Sequence, residues 1–186
     1  MKIFIILLAL LINETYGASV QKLFEMTKWE NCAGKLPIEI FLEVNQTNMV
    51  PNKIYYSGHL DVSEKVSGPI EFSFETNKCD FSMQKCEKFN GVKLPGICEV
   101  LKNVNGPFYP VVKAFKPRLS CPILPGKYET MNSVVDVSPF APLPVDGYTW
   151  VSTVKASSGE GKNRKLAMCL LMETKITLYK TRKNKN

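Results

Sequence analysis

Six cysteines constrain this chain more than any other feature: Cys32, Cys79, Cys86, Cys98, Cys121 and Cys169. What they can do depends on the compartment. Met1-Lys2 precedes an unbroken apolar run from Ile3 to Ile12. Small residues, Thr15 and Gly17, stand at −3 and −1 of a cut after Gly17. This pattern reads as a cleaved secretory signal over residues 1–17. The run is shorter than the roughly 20 apolar residues that span a bilayer. After export, six cysteines read as three disulfides, although spacing alone leaves their pairing open. A zinc site would need close ligand pairs, usually with histidine. The cysteines form no Cys-x-x-Cys pair and His59 is the sole histidine, so no metal and no cofactor is expected. Asn45-Gln46-Thr47 is a glycosylation sequon, which implies a surface position for Asn45. The expected locale is extracellular, with a lysosomal lumen as the alternative.

Hydrophobic residues make up 45% of the 186-residue chain, enough for a packed core and against wholesale disorder. The length suits one domain. Ile38, Ile40, Leu42 and Val44 share one parity, with Glu39 and Glu43 on the other, as in a half-buried strand. Ile54, Tyr56, Leu60 and Val62 share a second such face, opposite Lys53, Ser57, His59 and Asp61. Ile70, Phe72 and Phe74 form a third, and Tyr148, Trp150 and Val154 a fourth. Leu166 to Met172 is apolar on both parities, which marks a strand buried on both sides or one packing against a second layer. Helical signal is weak and is best around Ile97 to Val104. The pattern predicts an all-β, two-sheet antiparallel sandwich over residues 18–179, followed by a basic tail at 180–186.

Catalytic patterns are sparse. A Ser-His-Asp or Cys-His site would have to use His59, which sits mid-strand on the polar parity. No nucleophile elbow is present. Gly159-Glu160-Gly161-Lys162 lacks the spacing and the hydroxyl of a phosphate loop and reads as a basic hairpin tip. Paired carboxylates for glycoside hydrolysis are not singled out by any spacing. The chain is therefore expected to be no enzyme.

The net charge of +7 divides unevenly. Lys180, Arg182, Lys183 and Lys185 crowd the tail, and Lys162, Arg164 and Lys165 crowd one hairpin. Export argues against a nucleic-acid partner. Anionic headgroups or membrane surfaces suit the tail, as does simple solubilisation.

A run of short motifs carries a resemblance. Trp29-Glu30-Asn31-Cys32 comes first, then Cys79-x6-Cys86 and Cys98-Glu99-Val100-Leu101. Cys121-Pro122-Ile123-Leu124-Pro125-Gly126-Lys127-Tyr128 and Leu143-Pro144-Val145-Asp146-Gly147-Tyr148 follow, then a Ser-Ser-Gly turn and a last strand with Cys169. In this order, over about residues 29–176, the chain resembles the lipid-recognition (ML) domain family, and within it the ganglioside-activator branch. A group of insect secreted chemosensory proteins in the same family shares the Cys-Pro…Gly-x-Tyr core.

The resemblance implies an immunoglobulin-like β-sandwich opened into an apolar cup. It pairs Cys32 with Cys169, Cys79 with Cys86, and Cys98 with Cys121. Two features of the activator branch are missing: a fourth disulfide, and a long apolar-tipped segment before the third-strand cysteine, where only Ile70 to Lys78 separates Pro69 from Cys79. Recognition of gangliosides in particular is not implied.

The candidate cavity residues are Ile38, Ile40, Leu42, Ile54, Tyr56, Phe72, Phe74, Trp150, Leu170 and Met172. By alternation alone they read as a closed sandwich core; the resemblance makes them a ligand cavity. The candidate rim is Pro139, Phe140, Pro142, Leu143 and Val145, a stiff apolar loop that suits a cavity lip, a membrane-touching tip or a segment packed onto the sheets. The expected function is secreted lipid binding or transfer, with acyl chains in the cup and presentation of glycolipid to a hydrolase or receptor as an extension. Two other readings remain: a chemosensory carrier of pheromone or hydrocarbon, and a defence protein that binds microbial lipids.

Overall fold

The computed structural model describes residues 21–45, 49–106 and 109–179. The expected signal peptide, the basic tail, and Gln46 and Thr47 of the sequon lie outside the described residues, as does the Asn45 side chain. Eight strands form two antiparallel sheets: β1 (Lys22–Asn31), β2 (Ile38–Asn45), β3 (Lys53–Val62), β4 (Ile70–Cys79), β5 (Cys86–Leu94), β6 (Gly126–Asp136), β7 (Tyr148–Ser158) and β8 (Lys165–Leu178). The first sheet has five strands in the order β1-β8-β7-β4-β5, and the second has three in the order β2-β3-β6. The chain crosses between sheets after β1, β3, β5 and β6. Two one-and-a-half-turn helices, α1 (Ile97–Lys102) and α2 (Tyr109–Ala114), lie on the β5–β6 crossing. The molecule is an all-β sandwich.

Alternation in the sequence explains how the sheets meet. Ile38, Leu60, Val62 and Tyr128 of the small sheet face Ile70, Val154, Ala156, Met168 and Leu170 of the large one in a single buried cluster. Ile97 of α1, Phe115 just after α2, and Val66 and Ile123, which bridge to each other, close that cluster at one end. Within the double-parity run Ala167 to Leu170 are all buried, whereas Leu166 is 41% exposed and Leu171 and Met172 are half-buried, so both faces are covered only in the middle of β8, which lies between β1 and β7.

All six cysteines are paired, in the arrangement that the resemblance implies. Cys32–Cys169 ties the end of β1 to β8, Cys79–Cys86 closes the β4–β5 hairpin, and Cys98–Cys121 pins α1 to the segment before β6. Among the described residues no helix is long and apolar enough to cross a membrane.

Candidate functional site

β1 and β2 are edge strands of different sheets, and they run beside each other along one seam. Two asparagines join the sheets there. The Asn31 side chain behaves like a strand neighbour: its Oδ1 accepts from the Ile40 N–H and its Nδ2 donates to the Ile40 carbonyl, both at 2.9 Å. At the far end of β1, Asn52 adopts φ 59, the left-handed region that asparagine tolerates. Its Oδ1 accepts from the Lys22 N–H at 2.9 Å and its own N–H donates to the Lys22 carbonyl at 2.8 Å. Its carbonyl accepts from the Val137 N–H at 2.9 Å, which brings in the end of β6.

Beside the Asn31 contact, the seam holds a cavity of about 590 Å³ lined by Trp29, Glu30, Asn31, residues 40–43 and residues 57–59. Because β2 is an edge strand, both of its faces reach the cavity. Ile40 and Leu42 belong to the face that continues into the core, and Trp29 packs against that core from β1. Phe41, Glu43, Ser57 and His59 belong to the outer face. Strand parity thus gives the cavity an apolar side and a polar side.

Gly58 lets the strands come this close. It lies opposite Leu42 with φ +150, and a Cβ there would fall 2.0 Å from the Phe41 carbonyl oxygen and 2.8 Å from Leu42 Cα. His59 stacks on Phe41 with 5.0 Å between ring centroids and lies 3.5 Å from Asp61. This is the environment of an outward strand histidine. Glu30 is paired to Lys28 at 3.2 Å in an exposed position. Glu43 has no ion-pair partner among the described residues, and no Lys or Arg lines the cavity.

Of the ten residues proposed from sequence for a cavity, Ile40 and Leu42 border this one. Ile38 and Leu170 are fully inside the core cluster, with Phe72, Phe74 and Met172 packed against it. Tyr56 is buried beside the Thr130–Ser133 hydroxyl pair, and burial pushes its phenol up against the opposing effect of those hydroxyls. Ile54 is half-buried in β3. Trp150 is half-buried, meets Phe89 edge-to-face at 5.2 Å, and donates from Nε1 to the Val145 carbonyl at 2.7 Å. Trp29, Asn31 and Gly58 were not singled out from sequence as site residues. The signal for Gly58 was present: a glycine at a core-facing position of a strand marks close backbone approach.

The proline-rich rim loop lies elsewhere, where β1, β3 and β6 converge on Lys22. Lys22 is 2% exposed. Its ammonium donates to the Leu143 carbonyl and pairs with Asp146 at 2.6 Å. That hydrogen bond holds the Asp146 carboxyl below the usual carboxylate range. Around this buried charge Phe140 and Leu143 stay half-exposed, as do Leu178 opposite Lys22, neighbouring Tyr179, and Met49 and Val50. Ala141 alone of the loop packs fully down, and Pro139, Pro142 and Pro144 are exposed.

No family model matches the chain, and a search of the curated proteins returns no match. The fold and the seam define a class in physical terms: a disulfide-bonded, two-sheet β-sandwich with an amphipathic cavity between its facing edge strands.

Proposed function

We propose that this chain is a secreted, non-enzymatic lipid-binding or lipid-transfer protein of the lipid-recognition type. One observation carries the reading: the seam cavity is apolar on the side of Trp29, Ile40 and Leu42 and polar on the side of Glu43, Ser57 and His59. That division matches an amphiphile, with the chain inward and the headgroup outward. The volume of about 590 Å³ falls within the range of small-molecule sites. Each buried methylene contributes about 0.8 kcal/mol, so a chain burying about ten would gain roughly 8 kcal/mol before the costs of association. Three closed disulfides favour an oxidising compartment.

The apolar end around Lys22 supports the transfer part of the reading. Phe140, Leu143, Leu178 and Tyr179 are partly exposed there, and the sequence runs directly on into Lys180, Arg182, Lys183 and Lys185. Apolar side chains next to a basic segment suit contact with an anionic membrane.

The experiment is to express the full chain through a eukaryotic secretory pathway, extract it for lipid mass spectrometry, and titrate it with a fluorescent acyl probe. The reading expects co-purifying lipid, saturable probe binding, and loss of binding in Leu42→Asp. Absence of any lipid together with no probe binding would overturn it.

A further inference from the structure

We infer that the seam cavity selects amphiphiles with a cationic headgroup, such as an alkyl ammonium, over anionic ones such as fatty acids. This rests on the reading of the cavity as a lipid site. The chain as a whole is basic, with 24 Lys and Arg against 17 Asp and Glu. The cavity reverses that balance: Glu30 and Glu43 line it, and no Lys or Arg does.

Glu43 stands on the polar side, and Glu30 lines the cavity from β1. The Lys28 partner of Glu30 is itself about one-third exposed, so that pair is solvated and leaves much of the Glu30 field at the mouth. Glu43 is exposed and lies opposite Ser57, so nothing next to it in the sheet cancels its charge. The stacked Phe41 and His59 rings of the same lining form an aromatic wall, with Phe41 45% exposed. Aromatic faces carry negative electrostatic potential and attract ammonium groups. A carboxylate headgroup in the same place would meet the unpaired Glu43 carboxylate, with the nearby Lys28 ammonium already paired to Glu30. A quaternary ammonium would meet two carboxylates and the aromatic wall, with its chain against Trp29, Ile40 and Leu42.

The test is competition. A neutral fluorescent acyl ester bound to the full chain is displaced by three probes of equal chain length: dodecyltrimethylammonium, dodecyl maltoside and laurate. All are kept below micelle-forming concentrations, at one fixed pH of 8. The expected order is ammonium, then maltoside, then laurate. The ammonium-to-laurate ratio should be about tenfold at low ionic strength and shrink as salt is added. Glu43→Gln should cut that ratio by about threefold. Glu160→Gln, in the exposed β7–β8 turn, should leave it unchanged. Equal binding of the three probes, or a preference for laurate, overturns the selectivity while the lipid-site reading stands. Failure of all three, and of the ester, overturns both.

Discussion

Gly58 offers a test in which the structure supplies its own control. Gly58 and Gly126 lie in neighbouring strands with nearly the same backbone angle, φ +150 and +147. Alanine at either position incurs backbone strain of about 1–3 kcal/mol. The surroundings differ. Around Gly126 a new Cβ meets nothing within 4 Å. At Gly58 it would lie 2.0 Å from the Phe41 carbonyl oxygen and 2.8 Å from both Leu42 Cα and Leu42 Cδ2. Two of those three atoms are backbone, so no rotamer change relieves the contact and β2 must move away from β3. Overpacking of this kind costs about 1–3 kcal/mol more. Gly58→Ala should therefore lose about 2–6 kcal/mol, a large share of the 5–15 kcal/mol typical of a folded domain. Gly126→Ala should lose the strain contribution alone. The assay is urea unfolding of both variants with disulfides intact, followed by tryptophan fluorescence. Equal losses at the two sites would refute the argument that the close approach of β2 to β3 requires glycine. Gly58→Ala should also weaken acyl-probe binding, because the residue lines the cavity.

Four further predictions concern the contacts that hold β1 in place. Lys22→Met leaves the Leu143 carbonyl and the Asp146 carboxylate without their ammonium; because Asp146 is 27% exposed, the loss in chemical denaturation should be about 2–3 kcal/mol, below the 3–5 typical of breaking a fully buried pair. The Asp146 carboxyl is depressed in the folded state, so its contribution is complete above the unfolded value near 3.9 and is lost as pH falls through the folded value. The stability gap between wild type and Asp146→Asn should accordingly be widest at neutral pH and close below about pH 4. Asn31→Ala removes both partners of the Ile40 backbone, which should cost about 1–3 kcal/mol and loosen the seam, read as faster amide exchange in β2. The Cys32–Cys169 bridge closes a loop of sequence separation 137, so Cys32→Ser/Cys169→Ser should lose roughly 5 kcal/mol by the chain-entropy relation, measured as a lowered denaturation midpoint.

Much of the sandwich was legible because alternation reports burial directly. Ile38, Ile40, Leu60, Val62, Ile70, Phe72 and Phe74 meet in or against the core as their parity predicts, and the double-parity run in β8 lies in the middle of a sheet. β5 and β6 gave weaker signals for physical reasons. β5 is an edge strand exposed along nearly its whole length, and its sequence, CEKFNGVKL, has little burial to report. In β6 the pairing with β3 shifts register between Tyr56 and Gly58, around Asn132 at φ 47, which breaks the period of two. α2 contains Pro110 and spans six residues, too short for a helical period to register. The site was half legible for a related reason. Apolar alternation shows which residues leave water, but not whether two sheets meet tightly or part at a seam. That depends on the Asn31 and Asn52 side chains, whose hydrogen bonds to backbone in the other sheet leave no periodic trace.

The location of the acyl chain tests the central claim most directly. Trp29 lines the seam cavity, whereas Trp150 lies against Phe89 and the Val145 carbonyl. The two single-tryptophan proteins, Trp150→Phe and Trp29→Phe, separate these positions when each is titrated with an amphiphile brominated along its chain. The account predicts saturable quenching of Trp29 and little effect on Trp150. Quenching of Trp150 alone, or of neither, would contradict it.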